Sequence, residues 1–175
     1  VLDSLDVVLA QEVERFNKLL VQVKKTLSML QMAIKGEVVM SLELDLMYSA
    51  LLSNQVPAIW TKVSYLSTKP LASWMEDLHL RIAFFRSWIE DGHPNTFWMS
   101  GFFFPQGFMT GLLQNFARKY LIPIDTLTYS FKVTKKFQRQ EVETPPTDGC
   151  YIDGLYMDGA RWDAEREYIA DSRLG

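Results

Sequence analysis

Apolar residues recur every three or four positions along the first 34 residues, as they do on one face of an amphipathic helix. From Val13 onward the spacing is a strict heptad, which suits both a coiled coil and a helix packed in a bundle. The bundle is favoured, because about three heptads are the least that a coiled coil requires. Gly36 is placed to end this helix. The apolar set is Leu2, Leu5, Leu9, Val13, Phe16, Leu20, Val23, Leu27, Leu30 and Ile34.

A second, shorter helix follows. Ser41 is a good N-cap residue, and it predicts a helix over Leu42–Leu52. Residues 57–69 have no sustained period, so they are predicted to form a connector. The aromatic side chains of this connector, Trp60 and Tyr65, are expected to pack against the bundle.

Pro70 opens a third predicted helix, since proline is well placed in the first turn of a helix. Residues 91–94, with the sequence DGHP, terminate it. The helix has one apolar stripe, which consists of Leu71, Trp74, Leu78, Ile82, Phe85 and Trp88 or Ile89.

Residues 95–117 contain no charged side chain, and a window of this length is what a membrane span requires. A proline, three glycines and several polar side chains argue against a span, because lipid would leave polar groups unpaired. We therefore predict an aromatic strand or turn over residues 97–104 and then a helix over Pro105–Tyr120. Gly107 and Gly111 have the small-xxx-small spacing, which indicates close helix packing.

The character of the sequence changes after residue 122. Four apolar residues at alternate positions from Leu127 to Val133 predict a half-buried strand. Further short strands are predicted over residues 150–157 and 160–163. Helices first and strands last indicate an α+β fold. We assign residues 1–122 to a helical bundle and residues 123–175 to a small antiparallel β subdomain.

Charge narrows the possible partners of this protein. Its 175 residues include 18 Lys or Arg and 21 Asp or Glu, a net charge of −3, so no basic field draws it to nucleic acid. Residues 118–139 nevertheless have six basic side chains against one acidic, while residues 140–175 have three against nine. These two segments would neutralise each other if they pair.

The cysteine content and the first residue give two further indications. The single cysteine, Cys150, cannot form an internal disulfide, which favours a reducing compartment and argues against secretion. The first residue is Val1 and not Met, so we expect a piece of a longer polypeptide.

Two Glu-x-x-His pairs, Glu76 with His79 and Glu90 with His93, suggest the ligands of a di-iron bundle. Both pairs fall on one predicted helix, about 21 Å apart, so they cannot share a metal centre. Solvated polar faces are the better interpretation, and no metal site is predicted.

Asp-Gly steps recur every five residues, at positions 148–149, 153–154 and 158–159. This spacing does not match an EF-hand loop, which needs ligands at alternate positions. The steps are predicted to form turns or bulges between short strands. If so, Gly159→Val should destabilise the strand region by about 1 to 3 kcal/mol.

Signatures of catalysis are missing from the sequence. It has no phosphate-binding loop, no dinucleotide fingerprint and no nucleophile elbow, so neither a catalytic residue nor a cofactor is predicted. Cys150 is interpreted as a small strand residue. The basic run is interpreted as a solvated strand end, with a patch for an acidic partner as the alternative; it consists of Lys132, Lys135, Lys136 and Arg139.

Several sequence blocks resemble the C-terminal region of dynein heavy chains. The most specific are residues 97–106 (FWMSGFFFPQ), 114–120 (QNFARKY), 122–127 (IPIDTL) and 154–163 (GLYMDGARWD). Upstream blocks at residues 11–17, 33–41, 56–60 and 69–71 follow in the same order. The resemblance covers nearly the whole sequence and is closer to axonemal than to cytoplasmic dyneins. Its motif residues are Trp98, Gly101, Phe102, Phe103, Phe104, Gln106, Asn115, Pro123, Gly149, Gly154, Gly159, Ala160 and Trp162.

This resemblance implies the end of the sixth AAA+ module and the start of the C-terminal domain, with the β subdomain incomplete and residues 164–175 poorly packed. It implies a non-catalytic structural and regulatory module of an ATP-driven, minus-end-directed microtubule motor. ATP and Mg would bind elsewhere in that motor.

The expected partners are the rest of the heavy-chain ring, other dynein subunits and, indirectly, microtubules. The expected location is the cytoplasm, the cytoskeleton and the axoneme of cilia and flagella. Neither nucleic acid nor a membrane is expected. The alternative is an unrelated helical interaction module with an aromatic binding face.

Overall fold

The computed structural model of the protein describes residues 3–136, 138–154, 160–163, 165 and 168–171. Helices dominate the part before residue 121, and short strands follow, which confirms the α+β class. The helices are α1 (Ser4–Ile34), α2 (Leu42–Leu52), α3 (Ala58–Thr61), α4 (Leu71–Asp91) and α5 (Pro105–Tyr120). The strands are β1 (Thr96–Trp98), β2 (Tyr151–Asp153), β3 (Ala160–Asp163) and β4 (Tyr168–Asp171).

The long helix α1 forms the spine of the bundle. Asp3 caps it by accepting a hydrogen bond from the Leu5 backbone N–H at 2.9 Å. Helix α1 contacts α2, α3, α4 and α5, so the bundle is confirmed over the coiled coil. Its buried face is not the predicted stripe alone, because the polar residues Glu12 and Thr26 also lie on it, whereas Ile34 is exposed.

The predicted α2 is confirmed at both ends, with the Ser41 hydroxyl accepting a hydrogen bond from the Leu44 backbone N–H. The connector after it contains the short helix α3 and buries Trp60 and Tyr65, as expected. Both rings stack on Trp74 of α4, with centroids 5.9 and 6.0 Å away. The indole N–H of Trp60 donates to the Thr26 hydroxyl at 2.9 Å, which explains why this polar residue can be buried in α1.

Helix α4 begins directly after Pro70, as predicted, but its cap comes from another part of the sequence. Asn54, in the loop after α2, accepts hydrogen bonds from two backbone N–H groups at the start of α4. Its carbonyl bonds Leu71 N at 2.9 Å, and its side-chain oxygen bonds Ala72 N at 3.1 Å. Asn54 adopts a φ of 54°, a left-handed conformation that asparagine tolerates. Helix α4 ends at Asp91, and Gly92, which follows it, has a φ of 89°.

The strands differ from the predicted antiparallel subdomain. β1 and β2 pair in parallel, with Thr96 opposite Tyr151 and Trp98 opposite Asp153. β3 has the predicted bounds and pairs with β4 in an antiparallel ladder, although β4 lies in the tail that was expected to be poorly packed. An antiparallel β subdomain is therefore not confirmed. The domain boundary at residue 122 stays a prediction.

The strand predicted over residues 127–133 is wrong. Those residues have an irregular backbone without ladder partners, and Tyr129, Phe131 and Val133 are exposed. Alternation of apolar side chains reports only that one side of an extended segment is apolar, whereas a strand also needs a neighbour for its hydrogen bonds. Among the residues that the structure describes, no helix is long and apolar enough to cross a membrane.

Candidate functional site

The aromatic block of residues 97–104 turns the backbone between α4 and α5 and directs most of its rings into the core. Phe97 and Phe102 are buried and lie 4.7 and 4.9 Å from Phe108, centroid to centroid. Phe102 also meets Phe85 of α4 edge to face at 5.3 Å. Such tilted and edge-to-face pairs are the favoured geometries of aromatic side chains. The aromatic side chains of this block therefore pack mainly inside the protein and do not form an exposed binding face.

Glu12 of α1 is a carboxylate that is only 1% exposed beside this block. Its oxygens accept hydrogen bonds from the backbone N–H groups of Phe103 at 2.6 Å and Phe104 at 3.1 Å, and Arg15 donates to it at 3.0 Å. Phe104 is the N-cap of α5 and has no capping side chain, so Glu12 satisfies these donors from a distant helix. Its negative charge also suits the positive end of the α5 dipole.

Two guanidinium groups lie near the ring of Trp98. Arg81 of α4 lies 5.5 Å from its ring centroid and Arg139 lies 5.0 Å away, both within cation–π range. Two motif glycines pack against the same ring. A Cβ at Gly101 would lie 2.7 Å from Trp98 Cε3, and one at Gly154 would lie 2.8 Å from Trp98 Cδ1. The Cβ at Gly154 would also lie 2.5 Å from Ser100 Oγ. A larger residue is therefore excluded at Gly101 unless the ring moves, and at Gly154 unless both the ring and Ser100 move.

A buried ion pair holds Arg81 in this position. Asp77 accepts hydrogen bonds from Arg81 Nε and from Lys69 Nζ, each at 2.7 Å. The Arg81 guanidinium also lies 3.7 Å from the ring centroid of Tyr65. Burial alone would raise the pKa of Asp77, but the hydrogen bonds from Lys69 and Arg81 outweigh burial and hold that pKa below its ordinary value.

A second polar network ties the end of α5 to the start of α1. The Asn115 side chain accepts a hydrogen bond from Ser4 N at 3.1 Å and donates to the Asp3 carboxylate. Arg118 donates to the same Asn115 oxygen at 2.6 Å and to the Ser4 hydroxyl. The two helices approach closely at Gly111, where a Cβ would lie 3.2 Å from Val8 Cγ2, which confirms the predicted helix packing at this glycine. At Gly107 a Cβ would instead lie 2.9 Å from Phe104 Cδ1, at the start of α5 itself.

The predicted Asp-Gly turns are confirmed where the structure describes them, since Gly149 and Gly154 adopt φ values of 76° and 66°. Gly159, and with it the predicted effect of its substitution, lies outside the described residues.

The remaining motif residues lie away from Trp98 and Glu12. Gln106 is exposed on the first turn of α5. Pro123 precedes an exposed 3-10 turn, Ile124–Thr126. Two further motif residues are in β3, where Ala160 pairs with Asp171 and Trp162 pairs with Ile169 of β4.

The oppositely charged segments, 118–139 and 140–175, form ion pairs with each other, so the condition for their neutralisation is met in part. Lys119, at the end of α5, bonds Asp148 at 2.7 Å, and the Tyr120 hydroxyl donates to the same carboxylate. Arg139 bonds Asp153 of β2 at 2.7 Å. One member of the basic run, Arg139, is therefore paired within the protein.

The contacts described above are structural: a carboxylate caps a helix, two arginines lie near a tryptophan ring, and glycines allow close approaches. Residues 1–175 match the family described as the C-terminal domain of the dynein heavy chain. The protein belongs to this family. It is 56% identical over 171 residues to dynein axonemal heavy chain 1 of Mus musculus, with 98% of this sequence and 4% of the relative covered. It is 44% identical over 193 residues to dynein axonemal heavy chain 6 of Homo sapiens, with 99% of this sequence and 5% of the relative covered.

Membership of the dynein C-terminal domain family confirms the resemblance and overturns the alternative of an unrelated interaction module. The 175 residues span about a twentieth of the length of these relatives. Of the motif residues, Gly101 and Gly154 meet at Trp98, and Phe103 and Phe104 meet at Glu12.

Within the ranges that the structure describes, the histidines, the cysteine and the acidic side chains do not gather into one site. Both histidines are exposed, His79 within α4 and His93 just beyond its end. The described residues include no His, Cys, Asp or Glu cluster that could hold a metal ion. Burial raises the pKa of the Cys150 thiol to about 11, which disfavours the reactive thiolate.

Glu12 and Asn54, which cap α5 and α4 from other elements, were not predicted from the sequence pattern. Neither residue is apolar, so neither contributes to a hydrophobic stripe. The sequence does contain one signal. Both capped helices begin at or next to a proline and have no Ser, Thr, Asp or Asn at the N-cap, so the backbone N–H groups of their first turns need acceptors from other elements.

Proposed function

We propose that this protein is the non-catalytic structural and regulatory C-terminal module of an axonemal dynein heavy chain. The parent would be an ATP-driven, minus-end-directed microtubule motor of cilia and flagella, with ATP and Mg bound in other parts of its sequence. The observation that carries the proposal is the family match over residues 1–175, together with identities of 44 to 56% to axonemal heavy chains.

The geometry supports a structural rather than a chemical role. Glu12 joins α1 to the start of α5 through backbone hydrogen bonds. Asp77 and Arg81 pair within α4 and join it to Lys69 and Tyr65 of the connector. Buried polar networks whose members are all paired rigidify the elements that they connect. The module thus gives the motor a rigid element without a reaction centre of its own.

The proposed partners are the remaining ring of the same heavy chain, other dynein subunits and, through the motor, microtubules. The proposed location is the axoneme of cilia and flagella, within the cytoplasm and cytoskeleton. Relatives named as axonemal heavy chains support this location. We propose neither nucleic acid nor a membrane as a partner.

The test uses the 175-residue protein and its parent motor. We expect calorimetry with Mg-ATP to detect no micromolar binding to the protein. We also expect a heavy chain lacking this module to retain nucleotide binding while its microtubule gliding velocity changes. Micromolar ATP binding by the module would contradict the non-catalytic role, and an unchanged gliding velocity would contradict the regulatory role.

A further inference from the structure

One end of the bundle exposes a group of apolar side chains that are close together in the sequence. We call it the apolar end; it comprises Met32, Ile34, Val38, Val39, Met40, Leu42 and Leu46. These residues lie on the last turn of α1, the loop after it and the first turns of α2. Val39, in the loop, is 89% exposed.

Helix α2 explains how this surface arises. Leu44 and Met47 point into the core and are buried, while Leu42 and Leu46, one turn apart on another face, are exposed. A helix that is apolar on several faces is usually buried on all of them. Single exposed apolar residues are normal on a protein surface, but an apolar cluster with polar surroundings marks an interaction site.

The charged residues around the apolar end indicate the charge of the surface that would bind there. Glu37, Glu43 and Asp45 are exposed among the apolar side chains, against one basic residue, Lys35, in the described segment 32–46. Glu43 and Asp45 also suit the positive N-terminus of α2, but Glu37 lies outside any helix. A complementary surface would therefore be apolar with a basic rim.

We infer that the apolar end is the surface by which this domain docks onto the remaining polypeptide of its own heavy chain, at an apolar site rimmed by Lys or Arg. The length of the relatives indicates what would cover the apolar end. They match 97 to 99% of this protein, but the match covers only 4 to 5% of each relative. Most of the polypeptide that could cover the apolar end therefore lies outside these 175 residues. This inference rests on the proposed function and specifies its contact surface.

The experiment measures whether the apolar end is covered in the intact motor. Val39→Cys and, as a control, Leu80→Cys are introduced separately into the full heavy chain. Leu80 is 62% exposed on α4, and both Glu76 and His79 near it are exposed. Maleimide labelling of each site is followed by mass spectrometry in the native heavy chain and after unfolding in denaturant.

We expect native labelling of Val39→Cys to be at least tenfold slower than that of Leu80→Cys, although Val39 is the more exposed residue in this domain. Equal native rates would overturn the inference, whether both sites are fast or both are protected. If the Val39 variant loses motor ATPase activity through misfolding, Met32→Cys provides a second probe of the same surface and is judged by the same criterion.

The result separates two failures. If Val39→Cys reacts freely while the module binds no ATP and its removal alters gliding, then the docking surface is wrong and the proposed function stands. If the module binds ATP or its removal leaves gliding unchanged, the proposed function fails whatever the labelling rates are.

Discussion

Leu121 ends α5 in a conformation that suits glycine better than leucine. Its φ is 53°, in the left-handed region, and its side chain is 92% exposed. The Ile122 N–H bonds the Ala117 carbonyl at 3.0 Å, as in a Schellman motif, which usually places glycine at this position. Leucine here has the steric strain of the left-handed region without any compensating burial.

We expect Leu121→Gly to stabilise the protein by about 0.5 to 1 kcal/mol, because relief of the steric strain exceeds the extra backbone entropy of glycine in the unfolded state. Urea unfolding measures the change. Leu80→Gly is the matched control, since this exposed leucine lies inside α4, where glycine should destabilise by about 1 kcal/mol. If both variants lose stability, the strain at Leu121 has been overestimated.

At the scale of elements, Glu12 is the residue that makes α1 and α5 dependent on each other. We expect Glu12→Gln to lower the free energy of unfolding by about 1 to 3 kcal/mol, because it removes the charge and leaves one of two buried donors poorly paired. Chemical denaturation monitored by circular dichroism provides the measurement.

Glu14→Gln is the control for this change. Glu14 lies on the same helix but is exposed, and its pair with Lys18 at 2.7 Å is a surface ion pair. Such pairs contribute little, so we expect a change of less than about 0.5 kcal/mol. An equal effect of both substitutions would indicate that Glu12 acts through helix propensity or net charge instead of as the cap of α5.

Most helices could be predicted from the sequence because their signals are local. Ser41 marks the start of α2, and proline steps mark the starts of α4 and α5, as observed. The bounds of β3 were predicted from local signals as well, but the pairing of β1 with β2 could not be. The parallel pairing of β1 with β2 joins residues about 55 positions apart, as Thr96 opposite Tyr151, and no local pattern encodes that choice.

The sequence identified some residues of the candidate site, but not the buried polar residues that contact them. Trp98 and its glycines belong to recognisable blocks, whereas Glu12, Asp77 and Arg81 were not singled out. Polar residues at core positions interrupt an apolar stripe, so their pattern resembles that of surface residues until a buried partner is known.

At the scale of the whole molecule, two aspartates give opposite contributions to the pH dependence of stability. Asp77 has a lowered pKa, although its burial acts in the raising direction, since the hydrogen bonds from Lys69 and Arg81 outweigh that burial. Its contribution is present above the ordinary value of 3.8 and is lost as the pH falls through the lower folded pKa. Burial raises the pKa of Asp153 despite the neighbouring Arg139, so its ionisation opposes folding as the pH rises above 3.8.

The two aspartates can be separated by substitution. We expect Asp77→Asn to lower the free energy of unfolding by about 3 kcal/mol at pH 7, because it leaves buried Arg81 without its charged partner, and to have a smaller effect at pH 3. We expect Asp153→Asn to gain stability relative to the parent protein between pH 3 and pH 7, because an amide cannot ionise at that site. Urea midpoints at the two pH values measure both changes. If both variants shift in the same direction with pH, net charge rather than these local contacts governs the acid stability of the domain.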